Sequence, residues 1–82
     1  MKNLALQKAI LKILDRLNHV ALRERTLADE TEIAIDRPLT TAEFGDELRY
    51  LEDRELIEKD HTLLDDCMWH ITGKGKLAQR GL

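Results

Sequence analysis

Cysteine, proline, aromatic residues and long apolar runs are all scarce in this sequence. The 82-residue chain has one cysteine, one proline and one each of Trp, Tyr and Phe. Cys67 cannot form an internal disulfide, and no second cysteine is available to share a zinc site. The longest apolar runs have three residues, such as Ile33–Ile35, whereas a membrane span needs about 20. We therefore expect no disulfide or metal staple, no cofactor, no membrane contact and a cytoplasmic location.

The overall charge is slightly acidic. The chain has 13 basic and 16 acidic residues and a net charge of -3, with 43% apolar and 35% charged residues. This balance predicts one small folded domain over residues 1–82, built around a single modest core. It argues against a broad basic footprint for nucleic acid, although a local basic cluster is compatible with it.

The apolar spacing predicts three helices. A helix capped by Asn3 should run from about Leu4 to Leu17, with a basic stripe at Lys8, Lys12 and Arg16 on its outer side. That stripe is either an ordinary solvated face or a surface for phosphate or an acidic partner. After a short extended segment around Val20–Arg23, Thr26 is the expected cap of a second helix that ends before Pro38.

A third helix is marked by the capping box Thr40 and Glu43, and should continue to about Arg54 with Phe44, Leu48 and Leu51 buried. Gly45 lies near the same side, where a small residue would permit a tight helix crossing. Two strands, 56–60 and 67–72, then form a hairpin. Thr72 is a plausible cap for a short helical turn before Gly81.

The segments "LRYLEDRELIEK" and "MWHITGKGKLA" resemble the second half of a winged helix-turn-helix domain, of the kind found in PadR-like and MarR-like regulators. The resemblance implies an α+β, mainly α fold of three helices and a two- or three-stranded β wing. It also implies double-stranded DNA as partner, with the third helix in the major groove. A glycine usually precedes the Leu56–Ile57 pair. Glu55 in that place would either need a left-handed backbone or indicate that the helix ends differently. The residues that match the pattern are Leu48, Leu51, Leu56, Ile57, Trp69, Ile71, Thr72 and Gly75.

The outward face of the third helix is acidic. A helical projection places Glu43, Asp46 and Asp53 there, with Arg49 at the edge. Carboxylates at the groove would repel phosphates, so we expect other residues to supply the affinity for DNA. The candidate DNA contacts are Arg23, Arg25, Arg37, Thr40, Thr41, Arg49, Lys59, Lys74 and Lys76.

The same acidic face fits a protein partner. Tyr50 projects from it or packs against the hairpin, and two adjacent leucines at the hairpin tip either pack locally or form a small exposed patch. The candidate protein contacts are Asp46, Tyr50, Asp53, Leu63 and Leu64.

Enzymatic readings have little support. "GKGK" at 73–76 lacks the spacing of a phosphate loop, and Cys67 and His70 should point to opposite sides of a strand. We therefore expect no catalytic site. Two hypotheses follow: a small bacterial or phage winged-helix DNA-binding protein, expected to be a homodimer, or a winged-helix protein-interaction module that serves as an adaptor or nucleic-acid mimic.

Overall fold

Helices and short antiparallel strands make up most of the chain in a computed structural model that describes residues 3–17, 20–61 and 67–81. The order confirms the α+β, mainly α winged-helix arrangement expected from the sequence, and the expected final turn is a nine-residue helix. None of the helices in these ranges is long and apolar enough to cross a bilayer. The elements are α1 (Leu4–Arg16), β1 (Leu22–Arg23), α2 (Glu24–Ile35), α3 (Thr41–Asp53), β2 (Ile57–His61), β3 (Cys67–Ile71) and α4 (Gly73–Gly81).

Helix α1 begins as its sequence predicts. The side-chain oxygen of Asn3 accepts a hydrogen bond from the Leu6 amide at 3.2 Å, which satisfies one of the free donors of the first turn. Apolar residues at helical spacing then face inward, and Leu6, Ile10 and Leu14 are fully buried. Because α1 also contacts α2, α3, α4 and β3, it is the central element of the core.

Helix α2 begins earlier than Thr26, so the predicted cap is wrong. Its N-cap is Arg23, which makes no capping hydrogen bond with its side chain. Pairing of β1 with β3 holds Arg23 in an extended conformation, and the chain enters the helix directly from the sheet. The C-terminus is at Ile35, where Asp36 adopts the left-handed conformation with φ 57° before Pro38.

Helix α3 confirms the predicted capping box. Thr40 Oγ1 accepts from the Glu43 amide at 3.0 Å, and the Glu43 carboxylate accepts from the Thr40 amide at 3.4 Å. Phe44, Leu48 and Leu51 are buried, as expected. The proposed role of Gly45 is wrong, because a Cβ placed there would meet nothing within 4 Å.

The wing is a three-stranded antiparallel sheet in the order β1-β3-β2, with Ile57 opposite Ile71 and Leu22 opposite Trp69. Glu55, just before β2, has φ 64°, so the first of the two alternatives, a left-handed backbone where a glycine is usual, is the one observed. Thr72 caps α4 as predicted, since its hydroxyl accepts from the Gly75 amide at 2.9 Å. That hydroxyl also donates to the carbonyl of Glu55 at 2.7 Å, which joins α4 to the turn before β2.

One carboxylate lies inside the protein. Glu47 on α3 is 3% exposed and accepts from the Asn3 amide at 2.8 Å and from Gln7 Nε2 at 3.1 Å. Both donors belong to the first turn of α1, whose positive dipole end favours a negative charge. Glu47 therefore joins α3 to α1 through polar contacts at the edge of the core. The apolar core consists of Leu6, Ile10, Leu11, Ile13, Leu14, Leu27, Phe44, Leu48, Leu51, Ile57, Trp69 and Ile71.

Candidate nucleic-acid interface

The solvent side of α3 carries few positive charges. Asp46, Arg49 and Asp53 are exposed, in agreement with the helical projection. Glu43 is only partly exposed, because it is held by its capping contacts and by Arg37. One guanidinium therefore faces solvent beside two exposed aspartates on this helix. A groove-reading helix of this composition gains no phosphate attraction from its own surface.

The corner before α3 is occupied by an internal ion pair. Arg37 donates to both carboxylate oxygens of Glu43, at 3.4 and 2.9 Å, and also to the carbonyl of Pro38 at 3.2 Å. The hydrogen bonding to the Glu43 carboxylate raises the pKa of Arg37. The hydrogen bond from Arg37, followed by that from the Thr40 amide, lowers the pKa of Glu43. The Glu43 carboxylate thus accepts from the Thr40 amide at the start of α3, where backbone N–H groups attract anions such as phosphate.

Three of the predicted DNA contacts lie together between α2 and α3. Arg25, Thr40 and Thr41 line a shallow cavity of about 350 Å³ at the N-terminal ends of the two helices. Three carboxylates line the same cavity, those of Glu24, Asp29 and Glu32. Glu24 accepts from Trp69 Nε1 at 2.9 Å, and Glu32 accepts from the Leu39 amide at 2.6 Å. Arg25 and the two hydroxyls therefore lie beside three carboxylates, of which Asp29 is exposed.

A second group forms at the base of the wing. Lys59 of β2 and Lys74 of α4 line one cavity of about 450 Å³ near the C-terminal end of α3. Glu52, Glu55 and Glu58 line the same cavity, so the two lysines lie among carboxylates. The Lys59 ammonium is also 5.3 Å from the centre of the Trp69 ring, a cation-π contact that orients its side chain.

Two of the remaining DNA candidates lie apart from these groups. Arg23 is in β1, opposite Met68, and Lys76 is half-buried in α4.

The sequence did not indicate the contacts of His70 on β3. Its two ring nitrogens lie 2.6 Å from Asp60 and 3.2 Å from Glu58, so the outer face of the hairpin is acidic.

Tyr50 is not an outward-pointing anchor. It is half-buried and packs against the core, and Arg54 Nε donates to its hydroxyl at 2.7 Å. The Arg54 guanidinium also lies 5.0 Å from the centre of the ring. The packing against the core agrees with the core-packing alternative for Tyr50, whereas the contacts with Arg54 lie at the surface. Leu63 and Leu64 lie outside the described residues.

Sequence reasoning missed the polar residues that position this surface. Glu24, Glu32 and Glu47 were indistinguishable from the other carboxylates of a strongly charged chain. Glu24 and Glu47 find donors more than 40 positions away in the sequence. The available signal for Glu47 was its position three residues after Phe44 and four before Leu51, on the buried side of α3.

Comparison with known proteins gives matches in structure alone. No protein-family model matches the sequence, and a search of curated proteins also finds no match. Solved structures with this fold include RosR of H. salinarum, with a TM-score of 0.83, 21% identity, and coverage of 98% of this chain and 70% of that one.

A viral and a bacterial protein are also similar in structure to this chain. F93 from STIV, described as a winged-helix DNA-binding protein, has a TM-score of 0.79 and 18% identity over 98% of this chain and 86% of its own. A MarR-family transcriptional regulator from Silicibacter pomeroyi has a TM-score of 0.77 and 14% identity over 94% of this chain and 47% of its own. The sources differ, so the fold gives no indication of a bacterial or phage origin. By its element order, sheet topology and structural similarity, this chain has the winged-helix fold.

Proposed function

We propose that this protein is a small winged-helix DNA-binding protein that acts as a transcriptional regulator. The observation that carries the proposal is the placement of cationic and hydroxyl groups near both ends of α3, whose outer face is exposed. Arg25, Thr40 and Thr41 lie at its start, and Lys59 and Lys74 lie near its end. Structurally similar proteins described as regulators or DNA-binding proteins support this reading.

The geometry suits a helix laid in the major groove. Thirteen residues give α3 a length of about 20 Å, and the groove is about 12 Å wide, so groups at the two ends of the helix reach phosphates on either side. Contacts to phosphate fix position without specifying sequence. Arg49, Asp46 and Asp53 then face the base edges, where arginine favours guanine and aspartate can accept from a cytosine amino group.

Fluorescence anisotropy with mixed-sequence duplex DNA tests the proposal. Affinity should fall steeply between about 50 and 200 mM salt, because binding releases counterions. Lys59→Ala with Lys74→Ala should weaken binding to all sequences and reduce the salt slope by about two. Lys8→Ala with Lys12→Ala is the matched control, since both lysines lie on α1 away from these groups. Absence of binding at low salt would refute the proposal.

The Arg37–Glu43 pair gives a second, sharper test. Glu43→Gln keeps an N3 residue that can complete the capping box but removes the charge that holds Arg37. If the corner approaches phosphate, this variant should bind duplex DNA several-fold more tightly, and the additional Arg37→Ala change should cancel the gain. Unchanged affinity in Glu43→Gln would remove Arg37 from the interface.

We further propose that the protein binds DNA as a homodimer in the cytoplasm. Two copies related by a twofold axis would place their α3 helices in successive major grooves, about 34 Å apart. Sedimentation analysis with one-site and two-site duplexes distinguishes the cases. A single copy per two-site duplex at saturation would contradict the dimer.

A protein-interaction module is the second candidate. The observation that favours it is the acidic surface formed by exposed Asp46 and Asp53 on α3 and by the carboxylates around His70 on the hairpin. Such a surface suits a basic partner, and would mimic nucleic acid toward it. Asp46→Lys with Asp53→Lys should then abolish recovery of that partner in a pull-down, whereas the same variant should gain affinity for DNA if the first proposal holds.

A further inference from the structure

The basic stripe of α1 borders a groove that the proposed DNA interface does not use. Three cavities of about 540, 400 and 310 Å³ follow one another along the seam between α1 and α2. The first two share Ala9, Lys12 and Ala34, and the last two share Ile13, Arg16 and Glu30, so they form one continuous groove. It follows α1 from Ala5 to Leu17, a length of about 18 Å.

The floor of the groove is apolar and composed largely of small side chains. Ala5 and Ala9 of α1 lie along it, together with Ala34 and Ile35 of α2. Ile33, which lines the middle cavity, is 76% exposed, a large value for an isoleucine in a helix of a folded domain. Small residues on a helix surface allow a second helix to approach closely, and an exposed isoleucine beside them supplies apolar area for it.

The edge of the groove is positively charged. Lys8, Lys12 and Arg16 are all exposed and follow each other at four-residue steps, about 6 Å apart along the helix axis. Within residues 3–17, 20–61 and 67–81, none of these three cations forms an ion pair. Glu30 is the one acidic residue that lines the three cavities. This cationic edge is a local reversal of charge on a chain whose net charge is -3.

We propose that the α1–α2 groove binds an amphipathic helix with an acidic edge, supplied by a protein partner. An apolar stripe at positions i, i+4 and i+7 of the partner would cover the alanines and Ile33, and carboxylates beside the stripe would face Lys8, Lys12 and Arg16. The groove accommodates about three turns of such a helix. A nucleic-acid backbone would use the cations but would gain nothing from the apolar floor.

The groove is separate from the DNA interface proposed above. The three cavities contain no residue of α3, β2 or β3. Partner binding and DNA binding can therefore occur together, and a regulator could recruit another protein through this surface. The inference does not depend on DNA binding, since the groove is lined by residues of α1 and α2 together with Leu22 of β1 and Gln79 of α4, none of which belongs to the proposed DNA contacts.

A designed peptide provides the test. The probe is a labelled helical 15-mer with leucines at i, i+4, i+7 and i+11 flanked by glutamates, and its affinity is measured by anisotropy. Lys8→Glu with Lys12→Glu should weaken binding at least about tenfold, because two attractive pairs become repulsive. Arg25→Glu with Arg49→Glu carries the same charge change outside the groove and should leave peptide binding unaltered. Equal loss in both variants would overturn the proposal.

Ala34→Arg separates the possible occupants. Arginine is compatible with an exposed helix position, adds positive charge and blocks the apolar floor. An acidic helix should bind this variant several-fold more weakly, whereas a phosphate backbone should bind it equally or more tightly. The proposal is overturned if the glutamine version of the peptide binds as well as the acidic one. A second contrary result is binding of duplex DNA at the groove, seen as affinity that depends on Lys8 and Lys12 and is not reduced in Ala34→Arg. A third is that Ala34→Arg dissociates a dimer of this chain, which would mean that a second copy occupies the groove.

Discussion

Removing the buried carboxylate of Glu47 should destabilise the fold more than removing any exposed charge of α3. Glu47 is 3% exposed and accepts from two donors of the first turn of α1, the Asn3 amide and Gln7 Nε2. In Glu47→Leu the Gln7 amide group, itself 9% exposed, loses its acceptor without gaining access to water. A buried donor without a partner costs about 1–3 kcal/mol, and the Asn3 amide adds to this.

We therefore expect Glu47→Leu to lower the free energy of unfolding by about 2–4 kcal/mol. A domain of this size is stable by only about 4–12 kcal/mol, so the melting temperature should fall by at least about 10 °C. Urea unfolding followed by Trp69 fluorescence measures the change, because Trp69 is 3% exposed in the folded protein. Asp46→Leu, on the exposed side of the same helix, is the control and should change stability by less than about 0.5 kcal/mol.

A double-mutant cycle isolates the contact itself. Gln7→Leu removes the side-chain donor, so Gln7→Leu with Glu47→Leu replaces both side chains of that hydrogen bond by apolar ones of similar size. Such paired replacement is often close to neutral, and the double variant should recover most of the stability lost by Glu47→Leu. Simple additivity of the two single changes, or a Glu47→Leu effect no larger than that of Asp46→Leu, would refute the reasoning.

Three further predictions concern backbone fit and charge. Gly75→Ala should destabilise the protein by about 2 kcal/mol or more in urea unfolding, because the added Cβ would overlap the carbonyl of Leu56. Gly45→Ala should stabilise it by about 0.5–1 kcal/mol, since nothing lies within 4 Å of a Cβ at that site. Equal effects of the two changes would contradict the difference in free space around these glycines. Glu55→Gly should raise stability by about 0.5 kcal/mol by relieving the left-handed backbone at φ 64°, and a loss would show that the side chain contributes there. The pKa of Glu43 is lowered in the folded state by Arg37 and the Thr40 amide. Its contribution to the free energy of unfolding is therefore complete at a pH above the usual glutamate range and is lost as the pH falls through the folded pKa. Glu43→Gln should show a shallower loss of stability in acid, and identical pH profiles of the two proteins would contradict this assignment.

Much of the fold was accessible from local sequence signals. Asn3 and the Thr40–Glu43 box mark helix starts through contacts within three residues, and both are present as predicted. The resemblance marked Glu55 as a position where a glycine is usual, and its backbone is left-handed, which is one of the two alternatives expected there. The start of α2 was predicted wrongly from Thr26, because pairing of β1 with β3 fixes Arg23 in the sheet and the helix follows at once. That pairing joins residues more than 40 positions apart.

The candidate site was less accessible. The sequence indicated that α3 has an acidic outer face, and the exposure of Asp46 and Asp53 agrees with this. It could not indicate that Arg37 would be held by Glu43, or that Lys59 and Lys74 would line one cavity. Contacts of this kind depend on where elements meet, whereas a helical projection describes one element alone.

The sequence by itself determined the helices, the hairpin and the charge of each helical face, because caps, apolar spacing and turn residues act over three or four positions. Tertiary structure alone decided which of the charged residues have partners elsewhere in the chain. Glu24, Glu32 and Glu47 resemble Asp46 and Asp53 in chemistry, yet the first three are held by donors from other parts of the chain. The groove between α1 and α2 likewise exists only once the two helices pack. Its apolar floor comes from both helices, and its cationic edge comes from α1.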